Sequence, residues 1–373
     1  MRPRWRLLAR DRSSRARAGV LETAHGEVPT PAFMPVGTLG AVRTLAPWEV
    51  EATGTRMLLA NTYHLFLRPG AERVARAGGL HAFMGWEHAV LTDSGGYQVM
   101  SLAPLRRIDE DGVTFRSHID GSLQRLTPEV AVAVQEQLGS DVAMVLDVCP
   151  PYGAPAEELE EAVRLTGAWA ARARRVHRRP DQALFGIIQG GVDLELRRRS
   201  TEQVTALDFH GYALGGLSVG EPKELMLRTL EEVIPWLPED RPRYLMGVGT
   251  PLDLLEGVRR GVDLFDCVEP ARVARHGTAW TREGALRLLN RRFADDFRPL
   301  DPACTCSTCR HFSRAYLRHL LKVGEALARR LLTLHNITFT QDIVAGLRKD
   351  IIEGRKLGEG WFSWRETGLQ GED

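Results

Sequence analysis

Residues 184–216 read LFGIIQGGVDLELRRRSTEQVTALDFHGYALGG, and this stretch decides the fold. It begins with a short apolar run (184–188), continues with a segment of helical period (193–207) and ends with a second apolar run (212–214). Short runs that are apolar throughout are typical of strands buried on both faces, as in a parallel sheet. The stretch therefore predicts one strand–helix–strand unit of a parallel sheet.

The same unit recurs along the chain. Further apolar runs lie at residues 57–60, 89–91, 142–146, 244–246 and 262–265. Helices are predicted at 158–176, 222–234 and 251–258, and another begins at Pro128 with Thr127 as its N-cap. At least seven repeats favour a (β/α)8 barrel over an open doubly wound sheet. The early strands are also not followed by G-x-x-x-x-G-K or G-x-G-x-x-G, the loops with which an open sheet binds phosphate.

Composition and charge exclude several classes of protein. The chain has 373 residues, 43% of them hydrophobic and 26% charged, which is ordinary for a soluble globular protein. Its formal net charge is +1, so binding to a polyanion would need a local basic patch. No apolar run reaches the length of a membrane span. Segment 1–19 is rich in arginine but lacks the apolar stretch of a secretory signal, so we expect it to be part of the fold.

Three of the five cysteines lie within six positions, as Cys304, Cys306 and Cys309. An odd number of cysteines without a spread-out framework predicts a reducing compartment, with the cytoplasm as the default. Together with His335, the three thiols have the number and softness of ligands of a closed tetrahedral zinc site, with one Zn²⁺ per chain. A closed site has a structural role, so the catalytic groups must lie elsewhere. The alternative is a set of unpaired core cysteines beside a surface histidine.

We expect a single catalytic domain over residues 1–373. Within it, a zinc-binding subdomain is predicted at roughly residues 300–340, where a helix over 315–332 leads to His335. A further amphipathic helix at about 341–356 is expected to close the barrel, because apolar residues recur there at helical spacing.

Polar side chains and glycines follow the predicted strands, at the end where a barrel of this kind carries its chemistry. They are Asn61, Thr62, residues 93–98, Asp147, residues 189–191, Gly215, Gly216, Gly247, Gly249 and Asp266. A single aspartate in such a place is more often a turn or helix-capping residue than a catalyst. Three aspartates on one rim, at Asp93, Asp147 and Asp266, predict a catalytic site, because buried carboxylates cost free energy without a partner.

Two carboxylates at one site suit glycosyl transfer, in which one attacks the anomeric carbon and the other moves protons. A pocket for a purine base would also need a hydrogen-bond acceptor, an amide or backbone N–H, and an aromatic face for stacking. Asp147, Gln189, Gly216 and Tyr97 could supply these groups. These residues are therefore compatible with glycosyl chemistry on a purine nucleoside.

A competing motif lies at residues 216–220, which read GLSVG and match G-x-S-x-G, the nucleophile elbow of α/β-hydrolases. A serine hydrolase would need Asp266 and His335 as its further triad members. Because His335 has the better claim as a zinc ligand, we interpret this short match as chance.

Over nearly its whole length the chain resembles the tRNA-guanine transglycosylases (queuine tRNA-ribosyltransferases) of the bacterial type. The matching segments are MPVGT (34–38), NTYH (61–64), LRPG (67–70), LTDSGGYQ (91–98), GIIQGG (186–191), GGLSVGE (215–221), MGVG (246–249) and FDCV (265–268), with the Cys3His set. Each match alone is weak, but their number and order make the resemblance specific.

The resemblance implies a (β/α)8 TIM barrel with a C-terminal zinc-binding subdomain, usually in a homodimer. It implies exchange of guanine at the wobble position of tRNA for 7-aminomethyl-7-deazaguanine, a step towards queuosine. Asp266 resembles the nucleophile that bonds to the ribose, and Asp93 the general acid/base. Cys149 and Val219 suit the bacterial pocket, which accepts an aminomethyl group.

The remaining site residues are carried over by motif. Substrate-binding residues are Ser94, Gly95, Gly96, Tyr97, Asp147, Gln189, Gly216 and Met246, with Tyr97 and Met246 sandwiching the base. RNA contacts are assigned to Gly247, Val248, Gly249, Thr250, Ala271, Arg272 and Arg275.

Four positions depart from the family's pattern. Val148 replaces a carboxylate, and Glu269, Ala271 and His276 change the loop after the nucleophile. We expect fine specificity and RNA contacts to differ, and the catalytic groups to be unaffected. Two alternatives within the family are a catalytically silent tRNA-binding subunit and an archaeal-like enzyme. Retention of both catalytic aspartates argues against the first, and the lack of an appended RNA-binding domain after residue 373 argues against the second.

Overall fold

The computed structural model describes residues 3–102 and 106–359, where strands and helices alternate. The strands are β1 (Arg4–Arg10), β2 (Arg17–Thr23), β3 (Gly26–Thr30), β4 (Ala32–Pro35), β5 (Met57–Ala60), β6 (Ala89–Thr92), β7 (Arg106–Asp109), β8 (Gly112–Arg116), β9 (Leu123–Leu126), β10 (Val142–Met144), β11 (Ala183–Ile188), β12 (Gly211–Leu214), β13 (Arg243–Leu245), β14 (Leu264–Cys267), β15 (Thr278–Thr281) and β16 (Gly284–Arg287). The helices are α1 (Pro47–Ala52), α2 (Thr62–Leu67), α3 (Ala71–Arg76), α4 (Gly79–Met84), α5 (Gly96–Leu102), α6 (Pro128–Leu138), α7 (Ala156–Val176), α8 (Leu194–Thr205), α9 (Lys223–Val233), α10 (Pro251–Arg259), α11 (Glu269–Arg275), α12 (Ser307–His311), α13 (Arg314–Lys322) and α14 (Ala326–Glu353).

Within the described residues, eight parallel strands form one sheet in the order β4-β14-β13-β12-β11-β10-β6-β5. A parallel bridge from Val36 to Leu59 joins the two ends of the sheet, next to a hydrogen bond from the Gly37 N–H to the Leu59 carbonyl (2.6 Å). The sheet therefore closes, and the predicted (β/α)8 barrel is confirmed. Buried apolar side chains such as Phe185 and Phe265 fill its core, as the continuous apolar runs require.

Local signals in the sequence position the helices. The Thr127 hydroxyl accepts the Val130 N–H at the start of α6, as predicted, and Pro128 occupies its first turn. The Asp193 carboxylate caps α8 in the same way, by accepting the Leu196 N–H (2.9 Å). These caps fix the residues at which α6 and α8 begin.

Three antiparallel sheets accompany the barrel in the described residues, the smallest being the pair β15 and β16. Strands β1, β2 and β3 form one of them, so the N-terminal segment belongs to the fold from residue 3 onward, as expected. Strands β7, β8 and β9 form the third, between α5 and α6. The strand β4 was not predicted from an apolar run, because its four residues, AFMP, end in proline and follow Pro31.

The C-terminal helices differ from the prediction. One continuous helix, α14, carries His335 and also packs on the barrel, where a separate closing helix at 341–356 was expected. The predicted helix over 315–332 is instead split at Gly324, whose φ of +77° suits a residue that ends a helix. The amphipathic pattern failed because α14 buries polar residues such as Asn336 and Gln341, which bond to backbone and side-chain groups around it.

The division into one domain with a subdomain at 300–340 stays a prediction, and residues 1–2 and 360–373 of the predicted domain lie outside the described residues. Among the helices that the structure describes, none combines the length and the apolar character that a membrane crossing needs.

Candidate active site and metal centre

A cavity of about 270 Å³ opens at the barrel mouth, beside the ends of β6, β12, β13 and β14. Its polar wall includes Asp93, Ser94, Asp147 and Asp266, and its apolar wall includes Met246. Tyr97, at the rim, is 53% exposed, so the face of its ring is available for stacking. Parallel strands end at the same face of a barrel, which is why Asp93 and Asp266, 173 positions apart, line one cavity.

Asp266 lies in β14, with its carboxylate at the cavity. The Tyr244 hydroxyl (2.6 Å) and the Gly247 N–H (2.7 Å) both donate to its Oδ1. No other hydrogen bond to this carboxylate comes from the described residues, so Oδ2 is the oxygen available to a substrate. Burial raises the pKa of the Asp266 carboxyl, while these two donors act to lower it. Burial raises the pKa of Tyr244 well above its usual value, as does its bond to Asp266, so the hydroxyl remains a donor.

Asp93 follows β6 and is held by four donors. The Thr62 N–H (2.8 Å) and the Gly95 N–H (3.2 Å) bond to its Oδ1. The Gln98 amide (2.8 Å) and the Asn61 amide bond to its Oδ2. Burial raises the pKa of the Asp93 carboxyl to about 6, although these donors lower it. The negative charge of Asp266 also raises the Asp93 pKa, as expected of two carboxylates in one cavity.

Asp147 is buried and lines the cavity. The Ser94 hydroxyl (3.0 Å) donates to its Oδ1, and the Gln189 amide (2.7 Å) donates to its Oδ2. Burial raises the pKa of the Asp147 carboxyl, against both hydrogen bonds. Gln189 is 1% exposed and lies behind the wall, and its Oε1 has no hydrogen-bond partner among the described residues. The structure therefore does not bring this predicted substrate-binding side chain to the cavity surface.

Two glycines allow the backbone to pack closely against Asp147 and Gln189. A Cβ at Gly96 would lie 2.6 Å from the Asp147 carbonyl oxygen. A Cβ at Gly216 would lie 2.4 Å from Gln189 Oε1, and the φ of Gly216 is +65°, which favours glycine. Gly95 is buried beside them, packed against Tyr63.

The predicted RNA-contact loop after β13 divides into two parts. Gly247 is exposed and lines the cavity. Val248 and Gly249 are buried, and Gly249 approaches Phe33 so closely that a Cβ would lie 2.6 Å from the ring. The Thr250 hydroxyl accepts the Asp253 N–H and caps α10. Of this group, the structure brings only Gly247 to the cavity.

The predicted arginines lie in a second recess, of about 230 Å³, which shares Val268 with the first cavity. Arg43, Ala271, Arg272 and Arg275 are among its lining residues. Burial lowers the pKa of Arg275, and the charges of Arg43 and Arg272 lower it further. This mutual effect shows a locally positive surface on a nearly neutral chain.

The G-x-S-x-G segment does not form a hydrolase triad. The N–H groups of Ser218 and Val219 donate to the carboxylate of Glu221, which fixes the turn after β12. His335 lies with the cysteines and donates its Nε2–H to the Trp280 carbonyl (2.8 Å). A catalytic serine at Ser218 therefore has no access to His335.

Two residues that orient the carboxylates were not assigned a role from the sequence. Tyr244 was visible only as part of an apolar run, and Asn61 only as a polar residue after a strand. Their partners lie 22 and 32 positions away, respectively. The position of Asn61 at a strand end was a sequence signal for a role at the site. The sequence carries no such signal for Tyr244, because its buried ring looks like that of any other core residue.

The departures from the family pattern have structural explanations in two cases. Val148 is buried in an apolar cluster with Leu146 and Trp169 and does not point into the substrate cavity. Glu269 lies in the first turn of α11 and forms an ion pair with Arg272. His276 is exposed just after the same helix, and nothing in the structure explains its identity.

The three cysteines and His335 form a buried cluster. His335 Nδ1 lies 3.6, 3.5 and 3.3 Å from the Sγ atoms of Cys304, Cys306 and Cys309. A tetrahedral zinc ion with ordinary bond lengths would separate its sulfur and nitrogen ligands by about 3.6 Å. The ligand types and spacing fit Zn²⁺, so the cluster can hold a metal ion.

The bond from His335 Nε2–H to the Trp280 carbonyl leaves Nδ1 free for a metal. The neighbouring Asn336 accepts the Trp280 N–H (2.9 Å) and donates to the carbonyls of Pro270 and Thr278. The metal centre is therefore tied through α14 to α11, which follows the Asp266 strand.

Comparison with known proteins identifies the family of the chain. The sequence profile described as queuine tRNA-ribosyltransferase matches residues 11–358. The queuine tRNA-ribosyltransferase of Moorella thermoacetica is 58% identical over 349 residues, which cover 94% of each chain. That of Thermus thermophilus is 56% identical over 351 residues, covering 94% of this chain and 91% of the relative. The chain therefore belongs to the queuine tRNA-ribosyltransferase family, the tRNA-guanine transglycosylases, which are pentosyltransferases.

Proposed function

We propose that this chain exchanges guanine at the wobble position of tRNA for 7-aminomethyl-7-deazaguanine, in the queuosine pathway, by double displacement through a covalent Asp266–ribose intermediate. The observation that carries the proposal is the meeting of Asp93 and Asp266 in one cavity. Family membership supports the coarser part, modification of a guanine of tRNA.

In the first displacement, Asp266 Oδ2 attacks C1′ of the guanosine ribose. The bond from C1′ to N9 breaks, and its electron pair leaves with the base, to which Asp93 gives its proton and becomes a carboxylate. The hydrogen bonds from Tyr244 and Gly247 to Oδ1 hold the carboxylate in place and stabilise its charged form. The product is a ribosyl ester of Asp266 with the RNA chain intact.

In the second displacement, Asp93 removes the N9 proton of the incoming base. The N9 electron pair then attacks C1′, the ester bond breaks, and Asp266 leaves as a carboxylate. A pKa of about 6 suits Asp93 to this role, because its carboxyl group is mostly ionised at neutral pH and still basic enough to accept a proton. Two inversions at one carbon give net retention at the sugar.

The base would lie between Tyr97 and Met246, which both line the cavity. Asp147 is placed to accept N–H groups from the base edge, and Gly216 and Gln189 lie beside it. Cys149 and Val219 line the same cavity, where they would border the 7-substituent. Single-stranded bases are recognised in this way, by stacking and by contacts to their edges.

The recess with Arg43, Arg272 and Arg275 adjoins the cavity and would receive the phosphates beside the splayed-out nucleotide. Ala271 lies in the same recess. One structural Zn²⁺ per chain would occupy the Cys3His cluster. A homodimer and a cytoplasmic location stay predictions.

The test is base exchange on a tRNA with guanosine at the wobble position. We expect incorporation of labelled guanine and of 7-aminomethyl-7-deazaguanine, and little or none of queuine. A tRNA with adenosine at that position is the matched control and should not react. Binding of tRNA without any exchange would instead identify a catalytically silent subunit.

The rate of exchange should depend on pH through Asp93. The Asp93 pKa is about 6 in the free protein and falls once Asp266 is esterified, because the ester has lost the charge that raises it. We therefore expect kcat/KM for the incoming base to be level above pH 6 and to fall towards tenfold per pH unit below it. This parameter isolates the second displacement. The Asp93→Asn variant should exchange bases slowly, and its kcat/KM should not fall below pH 6. A wild-type profile that stays level from pH 7 to pH 5, with the protein still folded by circular dichroism, would contradict the role of Asp93.

A further inference from the structure

A second cluster of metal-ligating side chains lies far from the catalytic cavity. It consists of His25, His81 and Asp141, whose donor atoms all lie within 4.8 Å of one another. Asp141 directly precedes β10, whereas the active-site Asp147 follows that strand. Since parallel strands share a direction, the cluster lies at the opposite end of the barrel from the substrate.

The carboxylate is the fixed part of this cluster. Asp141 is 1% exposed, and it accepts the Val90 N–H on Oδ2 (2.8 Å) and the His25 N–H on Oδ1 (3.2 Å). These backbone bonds set its orientation independently of the imidazoles. The burial of a carboxylate at this point would cost free energy unless cationic or N–H groups offset it.

The two imidazoles approach one carboxylate oxygen each. His25 Nδ1 lies 2.8 Å from Oδ1, and His81 Nε2 lies 3.1 Å from Oδ2. The rings are stacked, with centroids 3.4 Å apart and an angle of 14° between their planes. Both nitrogens are therefore on the same side of the stack, next to the carboxylate.

We propose that His25, His81 and Asp141 form a second metal site, which binds a divalent first-row cation such as Zn²⁺ or Ni²⁺. Two imidazoles and one carboxylate are a donor set that these cations prefer. A zinc ion would separate such ligands by about 3.3 Å, close to the nitrogen–oxygen distances present. The His25 side chain is 34% exposed, so water can complete the coordination.

Metal binding requires one local movement. In stacked rings the lone pairs of the two nitrogens are parallel and do not converge on one point. One ring must therefore tilt before both nitrogens can bind a single ion. His25 is the ring that can tilt, because it lies in the exposed turn between β2 and β3, whereas the His81 side chain is 11% exposed in α4. The ion would then join that turn, α4 and the start of β10, which are distant in sequence. We therefore expect exchangeable binding that stabilises the fold, distinct from the tight Cys3His centre.

The experiment measures zinc stoichiometry on the full chain. After a weak chelator has removed exchangeable metal, wild type should retain one zinc, and equilibrium dialysis against Zn²⁺ should add a second. The double variant His25→Gln/His81→Gln should bind this second zinc at least tenfold more weakly and keep the first. Glutamine can still donate an N–H to Asp141, so the carboxylate remains paired, but its amide does not ligate zinc. Added Zn²⁺ should also raise the Tm of wild type and leave that of the variant unchanged.

His88→Gln is the matched control, because His88 contacts Glu51 elsewhere on the surface (2.9 Å) and should not affect zinc uptake. Base exchange should be unchanged in all three proteins, since the cluster lies away from the substrate. The proposal is overturned if wild type takes up no second zinc, or if the double variant takes it up with the same affinity and the same rise in Tm.

Discussion

Replacement of Asp266 by asparagine should abolish incorporation of labelled guanine into tRNA, with a loss of at least about 10⁴-fold, the scale on which removing a nucleophile lowers enzymatic rates. An amide has the shape of the carboxylate and can still accept hydrogen bonds from Tyr244 and Gly247, but its oxygen is a poor nucleophile. The denaturation-resistant adduct between protein and RNA should disappear as well. Exchange assays and denaturing gels measure both effects.

Two further measurements make this result specific. Asp208→Asn removes a carboxylate from an exposed ion pair with Arg241 and should exchange normally. Thermal unfolding should show that the Asp266→Asn protein is folded and no less stable than wild type, because burial disfavours the charge that the substitution removes. Normal exchange by the folded Asp266→Asn variant would rule out Asp266 as the nucleophile.

Replacement of Cys306 by serine should remove the tight zinc and much of the protein's stability. Zinc binding by small Cys/His sites contributes on the order of 10 kcal/mol to folding, which is comparable with the whole stability of a typical domain, about 5–15 kcal/mol. Cys306 also begins α12, where its Sγ accepts the Cys309 N–H. We expect the variant to contain little zinc after chelator treatment and to unfold at a much lower temperature.

Cys149→Ser is the matched control for this prediction. Cys149 is also a buried cysteine, but it lies in the wall of the substrate cavity and away from the cluster. That variant should keep one tight zinc, measured by elemental analysis. Full tight-zinc content in Cys306→Ser would show that the ligand set is wrong.

The sequence predicted the barrel because its strands are buried on both faces, which produces continuous apolar runs. It did not predict β4, because Pro31 and Pro35 border its short apolar run. It also did not predict that α14 is one continuous helix, because the buried polar residues of α14 conceal the helical spacing of its apolar residues. Gly324 did indicate the break before α14, but the helical spacing of the apolar residues around it favoured one unbroken helix.

The sequence predicted those residues of the candidate site that lie at strand ends. Asp93, Asp147 and Asp266 follow or end apolar runs, so their convergence in one cavity follows from the parallel arrangement. The contacts of Tyr244 and Asn61 were not predictable, because they depend on the register between neighbouring strands. The His25–His81–Asp141 cluster escaped for the same reason, since a hairpin turn, a short helix and a strand start carry its members.

The buried carboxylates of the cavity also have a thermodynamic consequence. Because the folded protein raises the Asp93 pKa from 3.8 to about 6, it holds that proton where the unfolded chain has lost it. The free energy of unfolding therefore falls as pH rises from about 4 to about 6, and near neutrality the deficit from this one residue is on the order of 3 kcal/mol. A protein without the Asp93 carboxyl would escape this deficit, so catalysis and stability make opposite demands on the same residue.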